Sequence, residues 1–521
     1  MESAVVRYRI ISQAFFLTIF VLLFLLTNYR GLDEIRYPVR IFLEFDPLIA
    51  FTTLLAAHHL PTVMFFSLAV VGSALVLGRV FCGWVCPLGT IHHFVSWLYH
   101  RKEKDILPRS TLLGYRIKYY LLFFILASSV FTLQSVGFLD PISLLIRSMT
   151  LFVEPLVNLM VHAIFGFFYD TEIRWITALT EPIYSLLKNN FLSFRQPYFH
   201  QALFIGFLFV AILLMNFYRM RFWCFSLCPL GALLGLVSRV SLLRRWISEA
   251  CTKCDICFSG CQAFARGNQD KWLKSECLVC GNCQNRCPEE AIDFALSPSA
   301  ALTKPGLNLT RRNLLVSAAS GIIAVPFLRI DSHYRNPNPK LIRPPGAVEE
   351  REFLKRCLKC GECMKVCLTN GLQPTLMEAG LEGIWSPILI PRLGYCQFYC
   401  TLCGQVCPSG AIKKLTVSEK VQVRIGLAFI DKNRCLPYSQ GIDCIVCEEH
   451  CPTPKKAIWF IEKRVKDRGR IVKTVKQPVV DLELCTGCGI CENKCPVVDK
   501  PAIVVTSIGE SRSEVNRLSL Y

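Results

Sequence analysis

The sequence predicts two architectures in one chain: a membrane α-helical half built from duplicated helical hairpins, with about four spans plus a signal or anchor helix, and small α+β domains organised around cysteines. Three observations predict it. Apolar residues make up 52% of the 521 residues and concentrate in the first half, and the mean hydropathy of +0.39 is too high for an ordinary soluble protein. A stretch ending in a cysteine pair occurs twice in that half. All 28 cysteines fall into eight motifs with none left over.

Four uncharged stretches, 10–29, 60–78, 119–139 and 201–218, are each near the ~20 residues that a spanning helix needs. Basic residues orient them. Arg7 and Arg9 precede the first. Arg101, Lys102, Lys104, Arg109, Arg116 and Lys118 lie between the second and third. Arg219, Arg221, Arg239, Arg244 and Arg245 follow the fourth. These three regions are expected on the cytoplasmic side, with segments 30–59 and 140–200 on the other. The second of those outer segments is semi-apolar and long enough for interfacial helices, a re-entrant pair or extra spans. Basic membrane loops also account for the net charge of +19, so no nucleic-acid partner is expected.

The repeat matches Arg79-Val-Phe-Cys-Gly-Trp-Val-Cys-Pro-Leu-Gly with Arg221-Phe-Trp-Cys-Phe-Ser-Leu-Cys-Pro-Leu-Gly. Upstream, Phe45-Asp46-Pro47-Leu48 is echoed by Leu139-Asp140-Pro141-Ile142. A two-fold duplication can bring Cys82, Cys86, Cys224 and Cys228 together as a seventh metal centre or as redox thiols; structural turns are the plainer alternative.

The other cysteines form six sets of four with close spacing. Disulfides do not call for Cys-x2-Cys-x2-Cys-x3-Cys, and structural zinc rarely carries the third close cysteine or the trailing proline. Twenty-four thiolates at four per cubane make six [4Fe–4S] clusters. Cys251, Cys254, Cys257, Cys261 and Cys277, Cys280, Cys283, Cys287 resemble a bacterial two-cluster ferredoxin. That resemblance implies exchange of the fourth ligand: Cys251, Cys254, Cys257, Cys287 for one cubane and Cys277, Cys280, Cys283, Cys261 for the other. Gln262 replaces the usual proline after Cys261.

Residues 310–329 carry Arg311-Arg312 before a short stretch rich in small residues, similar to a twin-arginine signal. Such signals export folded, cofactor-loaded domains, so the segment beyond is expected in the periplasm. A basic linker before a buried helix is the alternative. Residues 330–350 read as a Pro-rich linker. Four motifs follow: Cys357, Cys360, Cys363, Cys367; Cys396, Cys400, Cys403, Cys407; Cys435, Cys444, Cys447, Cys451; and Cys485, Cys488, Cys491, Cys495. Ala411-Ile412, Ala457-Ile458 and Ala502-Ile503 after the last three suggest the short strand that closes a ferredoxin half. Resemblance to four-cluster subunits of molybdenum oxidoreductases implies nesting of first with fourth and second with third. The expected cubanes are then Cys357, Cys360, Cys363, Cys495; Cys396, Cys400, Cys403, Cys451; Cys435, Cys444, Cys447, Cys407; and Cys485, Cys488, Cys491, Cys367.

In combination these motifs resemble a family of polyferredoxin quinol dehydrogenases. Residues 1–300 resemble the NapH (MauN-like) membrane subunits and residues 305–521 the exported NapG/MauM ferredoxins, so the chain looks like a natural fusion. The membrane half is also similar to that of NosR, whose flavin domain has no room here. The domains read as 1–246, membrane; 247–300, two-cluster ferredoxin; 301–350, twin-arginine signal or anchor and linker; and 351–521, four-cluster ferredoxin. The resemblance implies a multi-pass protein of the bacterial inner membrane in contact with the lipid bilayer and the membrane quinone pool. It implies quinol oxidation, with delivery of electrons to a periplasmic terminal reductase or c-type cytochrome in anaerobic respiration. The alternatives are a conduit from a cytoplasmic ferredoxin-like donor, and a redox sensor or maturation factor for a periplasmic metalloenzyme. A quinol site needs groups that take protons. The outer-side candidates are Asp46, His58, His59, Asp140, His162 and His200; His92 and His93 are their inner-side counterparts.

Overall fold

The computed structural model describes residues 4–29, 31, 33–59, 61–99, 114–170, 174–193, 195–259, 261–266, 272–296, 309–329, 338–467 and 471–516. Arg101, Lys102, Lys104 and Arg109, on which the expected orientation of the first half rests, lie outside them. The chain divides into two compact units that cut across its linear order. The first comprises Met1–Leu26, Tyr37–Ser148 and Phe204–Phe327; the second comprises Thr27–Arg36, Met149–Leu203 and Leu328–Tyr521. The first cysteine-rich domain therefore folds with the helical hairpins.

In the first unit, apolar sequence without proline forms helices Ala4–Leu26, Ser67–Leu77, Gly114–Val130 and Ala202–Leu214. Phe20, Phe24, Leu43, Leu48, Tyr119, Leu122 and Ile125 fill the space between elements, while Ile11, Leu68, Leu203 and Phe207 point outward. So much outward apolar surface suits a lipid contact. By length and composition, two helices among the described residues can cross a membrane: Ala4–Leu26 and Pro141–Asp170. The stretches 60–78, 119–139 and 201–218 do form helices, but each is shorter than 18 residues. The third expected span stops at Val130 because Thr132 turns left-handed (φ 65°) and Leu133 N–H closes on the Ser128 carbonyl. The outer segment 140–200 is instead dominated by Pro141–Asp170, with Arg174–Asn190 folding back so that the Tyr184 hydroxyl lies 2.9 Å from His162 Nδ1.

The duplication is visible in three dimensions. Asp46 caps helix Pro47–Ala57, accepting from Leu48 and Ile49 N–H. Asp140 caps the helix that starts at Pro141, accepting from Ile142 and Ser143 N–H. The carboxylate relieves orphan donors at each helix start. The helix Arg311–Leu328, which opens with the twin arginines, lies on helix Gly114–Val130. Ser317 Oγ donates to the Tyr120 carbonyl, and Gly321 lies so close to the Phe124 carbonyl that no Cβ fits there.

Sheet structure is confined to small antiparallel pairs, and these explain how the cysteines assemble. Strand β1 (Leu243–Ile247), ahead of Cys251, pairs with β2 (Ile292–Leu296), after Cys287. In the second unit, Ala347, ahead of Cys357, bridges to Ile412, after Cys407. A hairpin of β3 (Leu372–Pro374) and β4 (Pro387–Leu389) is inserted between the two motifs of that module. Strand β5 (Leu427–Ile430), ahead of Cys435, pairs with β8 (Ile503–Thr506), after Cys495; the ten-residue strands β6 (Ile458–Asp467) and β7 (Ile471–Val480) form a hairpin inserted between those motifs. Each pairing joins the residues before a first motif to those after a second, so the chain contains three ferredoxin-type modules in tandem.

The second unit is tied together by Glu350. Its carboxylate receives Arg343 through Nε at 3.0 Å and Nη2 at 2.6 Å, and Arg512 Nη1 at 2.9 Å. Arg343 also donates to Ser386 Oγ and the Pro387 carbonyl and lies over the Phe353 ring. Burial alone would raise the Glu350 carboxyl; the two guanidiniums overcome it and hold it at about 2, below its usual 4.5. A depressed carboxylate contributes stability that is present above pH ~4.5 and is lost as pH falls toward 2. Glu350→Gln leaves Arg343 buried without its counter-charge. Because Glu350 is partly exposed, we expect a loss of about 2 kcal/mol at pH 7 that shrinks as pH falls below ~4.5, measured by thermal unfolding of the detergent-solubilised chain. An unchanged midpoint at pH 7 would contradict this.

Candidate metal centres

Three thiols of each set come from one loop, and left-handed residues let the loop close. In Cys357-Leu-Lys-Cys-Gly-Glu-Cys363, Lys359 and Gly361 have φ of 55° and 87°. These turns aim backbone N–H groups inward: Lys359 N–H reaches the Cys357 sulfur and Glu362 N–H the Cys360 sulfur. Gly487, in the loop of Cys485 and Cys488, has φ of 71° and lies against the Gly426 carbonyl, where a Cβ has no room.

In the second unit the fourth thiol of each set arrives from the adjacent motif. Cys396, Cys400 and Cys403 line one pocket with Cys367. Cys435, Cys444 and Cys447 line another with Cys495. Cys485, Cys488 and Cys491 line a third with Cys451. Burial, then neighbouring charges that include Cys407, push the Cys360 and Cys363 thiols up, and Cys407 also raises Cys357. In the first unit Cys261 is within electrostatic reach of Cys277, Cys280 and Cys283, as the ferredoxin resemblance implies.

This geometry corrects the nested pairing expected for the last four motifs. Cys495 joins Cys435, Cys444 and Cys447 and does not join the first motif; Cys407 stands beside the first motif, Cys367 joins the second and Cys451 the fourth. The reason is strand pairing. The Ala347–Ile412 bridge and the β5–β8 pair close each module on itself before a longer-range nesting can form.

The donor sets fit cubanes. All 28 cysteines are free thiols. No three His, Cys, Asp or Glu side chains among the described residues stand close enough to share one ion; what disfavours structural zinc is the third close cysteine and the trailing proline of the motifs. Burial holds thiols such as Cys403 and Cys491 protonated, and a cationic core inside each cavity reverses that balance.

The sets also approach one another. In the second unit Cys363 is within electrostatic reach of Cys403, Cys488 of Cys396, and Cys491 of Cys447, and Cys396 N–H donates to the Cys488 carbonyl at 2.8 Å. The order in space is therefore the set of Cys357, of Cys396, of Cys485 and of Cys435. The set of Cys396 borders a pocket lined by Glu154, Lys365, Arg195, Ser193, Asn370 and Cys367. There Lys365 Nζ lies 2.6 Å from Glu154, and Asn28 Nδ2 and Ser193 Oγ donate to the same carboxylate.

Cys82, Cys86, Cys224 and Cys228 do come together in the first unit: Cys228 is within electrostatic reach of the other three. The proton-taking candidates do not converge. Asp46 and Asp140 are buried and within electrostatic reach of each other. His58, His59 and His200 are exposed, and His162 contacts Tyr184. His92 meets Asn216, and His93 lies between Gln13 and Gln262. Sequence reasoning missed Glu276, which is buried and ion-paired with Lys118 and with Arg79 Nη1 at 3.0 Å, and accepts from the Tyr119 hydroxyl at 2.7 Å. Lys118 is thus an internal counter-charge rather than a free loop charge. A lone acidic residue next to Cys277 in a basic stretch is the only signal of it in the sequence. Glu154 and Lys365 were missed as well, because they are 211 positions apart.

A family model described as a 4Fe-4S binding domain matches residues 59–104 and 200–248, and another of that description matches 478–498. The ferredoxin-type protein NapG of Escherichia coli is 32% identical over 204 residues, 39% of this chain and 86% of NapG. The methylamine utilization ferredoxin-type protein MauM of Methylorubrum extorquens is 32% identical over 205 residues, 38% of this chain and 88% of MauM. The ferredoxin-type protein NapF of Escherichia coli is 31% identical over 157 residues, 30% of this chain and 80% of NapF. No solved structure matches. With 4Fe-4S binding domains at both ends and relatives matched over most of their length, the chain is an iron–sulfur electron-transfer protein that belongs to the NapG/MauM family of ferredoxin-type proteins.

Proposed function

We propose that this chain is a membrane-bound quinol dehydrogenase that passes electrons from quinol, through [4Fe–4S] clusters held by its six ferredoxin-type sets, to a periplasmic reductase or c-type cytochrome. The observation that carries the reading is the pocket of Glu154, Lys365 and Arg195 bordering Cys367. It puts a part-buried carboxylate, which can take a proton, next to a thiol of the Cys396 set. The pocket is lined by Asn28 and Tyr29, which follow Ala4–Leu26 in the chain, and by Thr150 and Glu154 of Pro141–Asp170, and both of these helices are long and apolar enough to cross a bilayer. This supports access from a lipid-soluble donor.

The clusters, when bound, supply one-electron carriage. The residues do the rest. Lys365 and the Asn28 and Ser193 donors orient Glu154, so that one of its oxygens can accept a proton from a quinol hydroxyl. Arg195, whose Nη1 donates to the Thr369 carbonyl at 3.4 Å, sits over the loop of Cys367 and offers a donor to the opposite quinone oxygen. A quinol releases two protons and two electrons, and the electrons leave singly. The four sets of the second unit stand within reach of one another as a relay.

In this reading the twin-arginine segment exports the four-cluster domain that follows it and stays as an anchor. Arg311 and Arg312 are exposed at the start of their helix, and its packing on Tyr120 and Phe124 supports retention. Protease added to spheroplasts is expected to cut the 357–495 domain in the natural chain and to spare it when Arg311-Arg312 is replaced by Lys-Lys. Protection in both would place that domain in the cytoplasm.

Two further outcomes are expected. Glu154→Gln should slow menaquinol-driven reduction of the clusters by on the order of a hundredfold, while the dithionite-reduced EPR spectrum stays intact. Equal rates would remove Glu154 from the reaction. Cys495→Ser should remove the same EPR species as Cys435→Ser and a different one from Cys357→Ser; a match with Cys357→Ser would restore the nested pairing.

A further inference from the structure

We infer that Lys420 sets the reduction potential of the cluster on the Cys396 set: its buried ammonium, seated on the loop between Cys396 and Cys400, favours the reduced cluster and makes this set the one that collects electrons for the relay. The collecting role rests on the proposed quinol pocket, which Cys367 of the same set borders.

The loop is built to receive a cation. Its first gap holds three residues, Gln397, Phe398 and Tyr399, where the motifs that begin at Cys357 and Cys485 have two. In the shorter gap after Cys357 the chain turns through left-handed Lys359. Here Cys400 N–H closes instead on the Gln397 carbonyl at 3.2 Å. The carbonyls of Gln397 and Phe398 both face Lys420, whose Nζ donates to them at 2.9 and 2.7 Å. Nζ also lies 5.4 Å from the centre of the Phe398 ring. An ammonium has three donors. Two go to these carbonyls, and the Cys396 sulfur is within reach of the third.

A short, capped helix delivers the lysine. Val417–Gln422 opens on a capping box, in which Thr416 Oγ1 accepts from Glu419 N–H at 3.3 Å and the Glu419 carboxylate accepts from Thr416 N–H at 2.7 Å. The chain then runs to Ile425, whose N–H donates at 3.0 Å to the Thr486 carbonyl in the loop of Cys485 and Cys488. Lys420 therefore stands on the connection between two modules, and it is 5% exposed. A clamp on the loop would need a donor and no charge. Burying an ammonium is costly unless a negative group compensates it, and neutral thiols supply none.

Four thiolates on a cubane are net negative, and each added electron deepens that charge by one. An ammonium beside them stabilises the reduced form more than the oxidised form. Lys420 bears on Cys396, Cys400 and Cys403 together. Elsewhere in the second unit, Lys359 and Arg343 bear on Cys357 and Arg424 on Cys485, while the charges that bear on Cys435 are those of Cys444 and Cys495. The set that Lys420 faces lies between the quinol pocket and the set of Cys485, since Cys367 lines that pocket and Cys396 N–H donates to the Cys488 carbonyl at 2.8 Å. A quinol gives up its two electrons here one at a time, its protons going to Glu154 and solvent.

The test is a potentiometric EPR titration of the full chain in detergent. Redox mediators poise the potential, so failure of the quinol reading would leave the result untouched. The species to follow is the one that Cys400→Ser removes. Lys420→Gln keeps a donor for the loop carbonyls and removes the charge. We expect it to lower the reduced-to-oxidised ratio of that species at fixed potential about tenfold, which is about 59 mV for one electron, with the other species in place. Lys420→Arg should restore the natural midpoint. No shift, or an equal shift of every species, overturns the inference. If Lys420→Gln fails to hold the cluster, Lys420→His decides: the same species should gain a midpoint that falls between about pH 5 and 8 as the imidazole loses its proton, a fall absent from the natural chain. A midpoint that does not respond to pH overturns the inference.

Discussion

A short cysteine loop can turn three sulfurs toward one core, but its fourth lies beyond the turn and faces away. Every module of this chain is shaped by that constraint. The missing ligand has to be imported, and antiparallel pairing between residues before one motif and after the next imports it. The rest of each module is small. Alternate left-handed residues such as Lys359 and Gly361 fold the loops, and inserted hairpins such as β6–β7 extend a module without disturbing its closure.

The same import sets the order of the relay. Because each set borrows a thiol from its partner motif, the two sets of a module are held close, and the contact of Cys396 with Cys488 joins one module to the next. Buried charge supports the wire at both ends. Arg343, Glu350 and Arg512 pin the second unit, and Arg79, Lys118 and Glu276 occupy the core of the first. Each network places arginine or lysine where thiolates gather, which is the charge that iron-bound thiolates need nearby.

Much of this is legible in the linear order of residues. Spacing alone groups all 28 cysteines, since a loop of fixed length reaches only its own core. The internal repeat announces the meeting of Cys82, Cys86, Cys224 and Cys228, because duplicated hairpins pack about a shared axis. The Ala-Ile signals mark closing strands, and Ile412 and Ile503 do close them. Helix lengths were less legible. Hydropathy does not register the left-handed Thr132 that ends a helix at Val130.

The sequence by itself determined the cofactor type, the number of cysteine sets and the apolar, duplicated character of the first half, because these depend on local spacing and composition. Only the tertiary structure decided which motif lends its fourth cysteine to which, and which charged residues turn inward. Cys495 stands 60 positions from Cys435 yet shares its cavity, and Glu154 meets Lys365 across 211. Partners that distant are chosen by strand pairing and burial, which act through space and leave no periodic trace along the chain.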